Sequence, residues 1–239
     1  RVNDEYMLSV ENDGEWQTIP VHSKELADEM PKYKSRSLLE KIAEGTHFCG
    51  DPGMQYDNAI NRWHTCTNSG KINASNPCSE YMFLDDSSCN LASHNLMSYL
   101  NEDGSFDINS FSKAVRITAI AQDLEFDNSS YPTKKIAENS HKFRPLGMGY
   151  ANLGSLLMYL GMPYDSDEAR TTASAITSLL TAKVYETSTE MAEKIGTFEE
   201  FEKNKYSILN VMKMHREALK EISEEKLPKE FYNVLEEAR

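Results

Sequence analysis

The sequence predicts an α/β fold, on three observations. Two long stretches, 108–126 and 165–195, repeat apolar residues at helical spacing: Phe111, Ala114, Ile117, Ile120 or Ala121 and Leu124 in the first, and Ala169, Ala173, Ile176, Leu180, Val184 and Met191 in the second. Shorter stretches suit extended backbone, at 15–21 and around Asn76-Pro77-Cys78-Ser79-Glu80. The run Arg144-Pro145-Leu146-Gly147-Met148-Gly149 has too many breakers for a helix interior and suits a strand end or a tight turn. At 239 residues the chain can bury one good core, so one domain or a large part of one is expected.

Taken in order, Tyr6, Met7 and Val10 place a short helix over 4–12, which Gly14 breaks before the strand-compatible 15–21. Leu38, Leu39 and Ile42 place a second helix over 37–44. Gly50-Asp51-Pro52-Gly53 is a turn, because proline fixes one φ and glycine permits a positive one. A connector around Gly104 covers 101–107 and leads into the 108–126 helix, expected to be a buried scaffold. Tyr131-Pro132 marks a boundary, since the residue before proline avoids the helical region, and a short helix follows over 133–140. The glycines of 144–149 allow close backbone approach, to a ligand or equally to a packed helix. Helical periodicity resumes over 150–160 and stops at Gly161. Asp165, with Glu168 three residues on, is the expected N-cap of the long helix, which ends at Gly196. From Phe198 onward the charged composition, through Glu199-Glu200, Lys203 and Glu224-Glu225-Lys226, predicts a solvated helical periphery over 198–239.

Composition narrows the function classes. With 38 acidic against 25 basic residues the net charge is −13, which disfavours a polyanion-binding surface. A nucleotide would need local help from helix N-termini and backbone N–H groups. No apolar run approaches the roughly 18 residues of a membrane span, and no signal peptide is evident. Four cysteines without a secretory signal fit reduced thiols in the cytoplasm better than a disulfide framework. Arg1 and Arg239 at the two ends suggest an internal piece of a longer chain.

The chemistry concentrates at Asn76, Cys78 and Glu80. On extended backbone these alternate residues share a face, which sets an amide, a thiol and a carboxylate in a row. Such a trio offers hydrogen bonds, a nucleophile or one-electron redox centre, and a base. The competing reading is a polar edge or loop with an inert cysteine. A second cluster, His47, Cys49, His64 and Cys66, has ligand types that suit tetrahedral zinc, but its spacing departs from the two to four residues usual between paired ligands, and no metal ligands are assigned.

The run Ile72-Asn73-Ala74-Ser75-Asn76-Pro77-Cys78-Ser79-Glu80-Tyr81-Met82-Phe83-Leu84-Asp85-Asp86, continuing into Cys89-Asn90-Leu91-Ala92-Ser93 and Asn95-Leu96, resembles the active-site region of the ribonucleotide reductase catalytic chain, in wording closest to the adenosylcobalamin-dependent class. Gly50-Asp51-Pro52-Gly53 with Ile60-Asn61-Arg62-Trp63-His64-Thr65-Cys66 is similar to the approach to that loop, and Arg144-Pro145-Leu146-Gly147-Met148-Gly149-Tyr150-Ala151-Asn152-Leu153-Gly154 to a later block. Cys49, before the turn, departs from the family pattern.

The resemblance implies that the whole chain, 1–239, is a fragment of a ten-stranded α/β barrel, with the active-site loop region at 72–96 and peripheral helices at 198–239. It implies that Cys78 becomes a thiyl radical and abstracts the ribose 3′ hydrogen, that Glu80 takes the 3′-hydroxyl proton, that Asn76 hydrogen-bonds the ribose, and that Cys89 is one of two cysteines that supply reducing equivalents and end as a disulfide. Asn76, Pro77, Cys78, Ser79 and Glu80 would line the substrate. A sulfur radical must be kept from water, so the loop is expected inside the barrel. The implied cofactor is adenosylcobalamin, which is cleaved at its cobalt–carbon bond. The implied partners are a ribonucleotide, a thioredoxin-like reductant and the remainder of the parent chain, with a homodimer left open and neither a nucleic acid polymer nor a membrane. The family's other redox cysteine, effector loops, Pro-Thr-Gly-Thr-type phosphate segment and C-terminal cysteine pair are not found in this sequence, so the piece alone is expected to be inactive. The alternatives are a large subunit served by a separate metal-radical subunit, and a non-catalytic metal-binding or scaffold module built on His47, Cys49, His64 and Cys66.

Overall fold

A computed structural model describes residues 1–20 and 22–239. Helix α1 (Asp4–Glu11) starts where Asn3 accepts the Tyr6 N–H at 2.9 Å, and its buried Tyr6 and Val10 lie one turn apart. Strand β1 (Glu15–Gln17) pairs antiparallel with β2 (Lys32–Lys34), with Trp16 opposite Tyr33. The strand expected over 15–21 is therefore shorter: Pro20 has no N–H to give a ladder, and Val21 lies outside the described residues. Helix α2 (Ser35–Cys49) outruns its expected span at both ends and stops at Gly50, whose left-handed φ of 82° opens the expected turn. A short α3 (Asp57–Arg62) follows.

The second sheet positions the site. Strand β3 (Asn90–Asn95) runs parallel to β4 (Leu146–Ala151), from Asn90 opposite Leu146 to Asn95 opposite Ala151. Parallel pairing needs a long crossover, here through α4 (Ile108–Asn128) and α5 (Lys134–Phe143). The run at 144–149 is mostly strand, and Tyr150 and Ala151 continue it, so the helix expected over 150–160 begins later as α6 (Leu153–Tyr159).

Two helix faces differ from expectation. In α4 the buried residues are Phe111, Val115, Ala119, Gln122 and Phe126, whereas Ile117 and Leu124 are exposed. The apolar stripe misses this face because one of its members is a glutamine that hydrogen-bonds to two strands. Helix α7 (Asp167–Ile195) ends at Gly196 as expected, but its cap is Ser166, which accepts the Ala169 N–H at 3.1 Å, while Asp165 lies outside the cap with a side chain 96% exposed. Its buried face runs through Ala169, Thr172, Ala175, Ile176, Leu179, Leu180 and Thr187.

The core gathers Leu96, Phe106, Phe111 and Val115 with the inner face of α7. The last stretch joins it. After α8 (Phe201–Ala218), the residues Leu227, Phe231, Val234, Leu235 and Ala238 bury themselves there, and α9 (Tyr232–Ala238) packs on α7. The 198–239 segment is thus helical but not merely a solvated periphery, because apolar residues at helical spacing lie among its charges. Among the described residues the strands form two two-stranded sheets, which is an α/β arrangement without a closed barrel. No helix among them is long and apolar enough to cross a membrane.

Candidate active site

The loop between α3 and β3 is fastened from its base upward. Asn61 of α3 accepts the Ile72 N–H at 3.0 Å and donates to the Ile72 carbonyl at 3.2 Å, and the Arg1 guanidinium donates to that same carbonyl. Ile72 is buried, so these bonds anchor the backbone where the loop begins.

The Asn76–Glu80 trio does not lie on an extended strand. The Ser79 N–H donates to the Asn76 carbonyl at 3.0 Å, and Ser79 takes a left-handed φ of 62°, so Pro77, Cys78 and Ser79 make a turn and the two-residue alternation does not apply. The Asn76 side-chain oxygen accepts the Tyr81 N–H at 3.0 Å across this turn, and Gln55 donates to the Ser79 hydroxyl at 3.0 Å. Cys78 and Glu80 are exposed, against the expectation of a thiol threaded into a barrel, because two separate sheet pairs enclose no interior.

Beyond the turn the loop is packed. The Tyr81 hydroxyl meets the Ser87 hydroxyl at 2.8 Å and donates to the Ser88 carbonyl at 3.1 Å, and the Ser88 and Ser140 hydroxyls lie 2.6 Å apart, which ties the loop to α5. Phe83 sits edge-on to His64 and Phe143. Burial pushes the Tyr81 phenol well above its ordinary range.

Cys89, immediately before β3, is half-buried. Burial first, and the nearby Glu80 carboxylate second, push its thiol up to about 11, so it is a neutral S–H at neutral pH. The Glu80 carboxylate thus acts on the Cys89 thiol in the same direction as burial, and Cys78 sits on the turn between Asn76 and Glu80. Sequence reasoning missed three supports of this loop: Tyr81, Ser140 and Gln122. Tyr81 lies within the motif run but shows no role there, and Ser140 and Gln122 carry no motif signal, because each acts through hydrogen bonds to backbone or hydroxyl groups that only the fold brings near.

The His47, Cys49, His64 and Cys66 set is not assembled. Among the described residues no three or more His, Cys, Asp or Glu side chains gather as metal ligands. His64 accepts the Cys66 N–H on Nδ1 at 3.3 Å, so its Nε2 carries the proton and donates to the Gly70 carbonyl at 3.1 Å. Both ring nitrogens are thus engaged, and burial holds the ring neutral by lowering its pKa. Cys66 is buried, its thiol pushed up by burial, and Cys49 is exposed at the end of α2.

Residues 1–233 match the family model described as "Ribonucleotide reductase, barrel domain". Over 225 residues, 94% of the chain, it is 52% identical to a vitamin B12-dependent ribonucleotide reductase of Rhodopirellula baltica, of which it covers 22%. It is 47% identical over 222 residues, 91% of its length, to the protein of the same name from Streptomyces avermitilis, of which it covers 23%. A vitamin B12-dependent ribonucleoside-diphosphate reductase of Mycobacterium tuberculosis is 31% identical over 206 residues, 86% of this chain and 29% of that protein. The chain thus spans between a fifth and a third of the length of these relatives. A match over nearly every residue, through the turn at Cys78 and the paired strands behind it, makes this chain a member of the ribonucleotide reductase barrel-domain family.

Proposed function

We propose that this chain is the active-site portion of an adenosylcobalamin-dependent ribonucleotide reductase, which reduces a ribonucleoside di- or triphosphate to the 2′-deoxy form. The observation that carries the proposal is the turn at Pro77–Ser79, closed by the Asn76 side chain, which presents Cys78 next to Glu80, with the half-buried Cys89 where the same loop enters β3. A base and a reducing thiol serve the same sugar, and the radical thiol precedes both in the chain, on the turn between Asn76 and Glu80.

Each residue has a chemical task. Cys78, as a thiyl radical, takes the 3′ hydrogen of the ribose and becomes a thiol. Glu80 accepts the 3′-hydroxyl proton. Asn76 has its oxygen held by Tyr81, which leaves its amide N–H groups for the sugar. The 2′-hydroxyl leaves as water, and two electrons and two protons come from Cys89 and a second cysteine of the parent chain, which join as a disulfide. A neutral Cys89 suits this task because it brings a proton with its electron. Return of the 3′ hydrogen from Cys78 closes the cycle, and a thioredoxin-like dithiol reduces the disulfide.

Adenosylcobalamin supplies the one-electron oxidation of Cys78 when bound. The exposed thiol fits an oxidant arriving from outside this chain. A radical thiol must be kept from water, so on this reading the remainder of the parent covers the turn when the cofactor is bound. On this reading the strands of 1–239 contribute to a ten-stranded barrel completed by the parent. Four free cysteines fit a reducing cytoplasm. The names of the relatives favour cobalamin over a separate metal-radical subunit.

The test is deoxyribonucleotide formation by the full-length parent with adenosylcobalamin and a dithiol. Product should require the cofactor, and Cys89→Ser should block sustained turnover by a reductant that acts on the disulfide. Activity only with a metal-loaded partner subunit would overturn the cofactor and leave the chemistry standing.

A further inference from the structure

Behind the loop, Cys89 meets β4 at Gly147. A Cβ added at Gly147 would lie 2.7 Å from the Cys89 sulfur and would also run into Leu91 Cδ2. Gly147 is not among the left-handed residues, so glycine is needed there for room rather than for backbone freedom. The two obstructions differ. Leu91 is 64% exposed and its end can swing aside, but the Cys89 sulfur is half-buried against Gly147 and donates to the Asn90 carbonyl at 3.6 Å.

That carbonyl is held in turn. Gln122 of α4, only 3% exposed, donates from Nε2 to the Asn90 carbonyl at 2.8 Å and to the Gly147 carbonyl at 2.9 Å, while Asn90 Nδ2 donates back to the Gln122 carbonyl at 2.8 Å. Both partners of the side-chain amide are carbonyls, so the nitrogen must face them. One amide group therefore locks β3 to β4 at the level of Cys89.

We propose that Gly147 and Gln122 are positioning residues for Cys89: Gly147 leaves the space its side chain occupies, and Gln122 fixes the Asn90 carbonyl beside its sulfur. The effect on turnover rests on the reading of Cys89 as a reducing thiol; the placement of the sulfur does not, and can be measured separately.

The experiment uses the full-length parent carrying Gly147→Ala, Gly147→Ala with Leu91→Ala, or Gln122→Met. Two quantities are read: the pH profile of Cys89 alkylation by iodoacetamide, followed by mass spectrometry of its peptide, and kcat against KM. Displacing the sulfur from its buried place should shift the profile to lower pH and speed labelling at neutral pH by about ten-fold, the change expected for one pKa unit. The kcat should fall by a similar factor with KM little changed, since Gly147 faces the Cys89 and Leu91 side chains and Gln122 is buried against the strands, and Leu91→Ala should not restore it. Gln122→Met should act in the same direction, and it carries the test if Gly147→Ala does not fold. Unchanged labelling in Gln122→Met, or restoration by Leu91→Ala, would overturn the proposal. Cys89→Ser is run in parallel: if it sustains dithiol-driven turnover, the role of Cys89 in the reaction fails, whatever the labelling shows.

Discussion

The side-chain oxygen of Asn76 accepts the backbone N–H of Tyr81 at 3.0 Å and so closes the turn that carries Cys78. The same side chain is assigned to the sugar, so its two ends have separate duties. Asn76→Asp keeps the acceptor and removes the donors, whereas Asn76→Ala removes both. Hydrogen exchange at the Tyr81 amide should quicken about five-fold in the alanine variant, the equivalent of about 1 kcal/mol for one hydrogen bond, and stay near wild type in the aspartate variant. Both variants should lose most deoxyribonucleotide formation. Equal exchange in the two would refute this division of labour.

Cys89 gives a pH signature. Its thiol is raised from 9.0 to about 11, by burial first and Glu80 second. A group raised on folding contributes stability that is fully present below its unfolded pKa and lost as pH rises through the folded one, so this contribution should disappear between about pH 9 and pH 11. Cys89→Ala should flatten the fall in stability over that window. Glu80→Gln should lower the thiol pKa and speed alkylation at fixed pH, but by less than exposing the sulfur would, because burial is the larger cause. An alkylation profile with a midpoint near 9 in the wild type would contradict this account.

The start of α7 separates two neighbouring residues. Ser166→Ala removes the bond to the Ala169 N–H and should cost about 1 kcal/mol. Asp165→Ala removes only an exposed pair with Arg170 and should cost less than about 0.5 kcal/mol. Denaturant unfolding of both variants checks the order, and a larger loss at Asp165 would move the cap.

These elements also indicate what the sequence could express. The helices were legible wherever apolar spacing was long, and both ends of α7 were found to within two residues. Faces were harder. The buried stripe of α4 passes through Gln122, whose polarity hides it until two strand carbonyls are brought to it. The strand pair β3–β4 depends on partners 56 positions apart, a pairing that local pattern does not encode. At the site the residue types of Asn76, Cys78, Glu80 and Cys89 were plain, but their arrangement was not. A left-handed Ser79 replaced the expected alternation, and the placement of the Cys89 sulfur against Gly147 arises from the pairing of β3 with β4. The apolar residues of α9 were masked by the charges around them, although their spacing of three and four suits a buried face.

The measurement that bears most directly on the central claim is deoxyribonucleotide formation by the full-length parent carrying Cys78→Ser, with adenosylcobalamin and a dithiol. A serine hydroxyl in place of the thiol keeps the size of the turn residue but cannot hold the radical, so product should be abolished while the fold and substrate binding remain. Product formed at the wild-type rate would contradict the assignment of Cys78 and, with it, the function proposed for this chain.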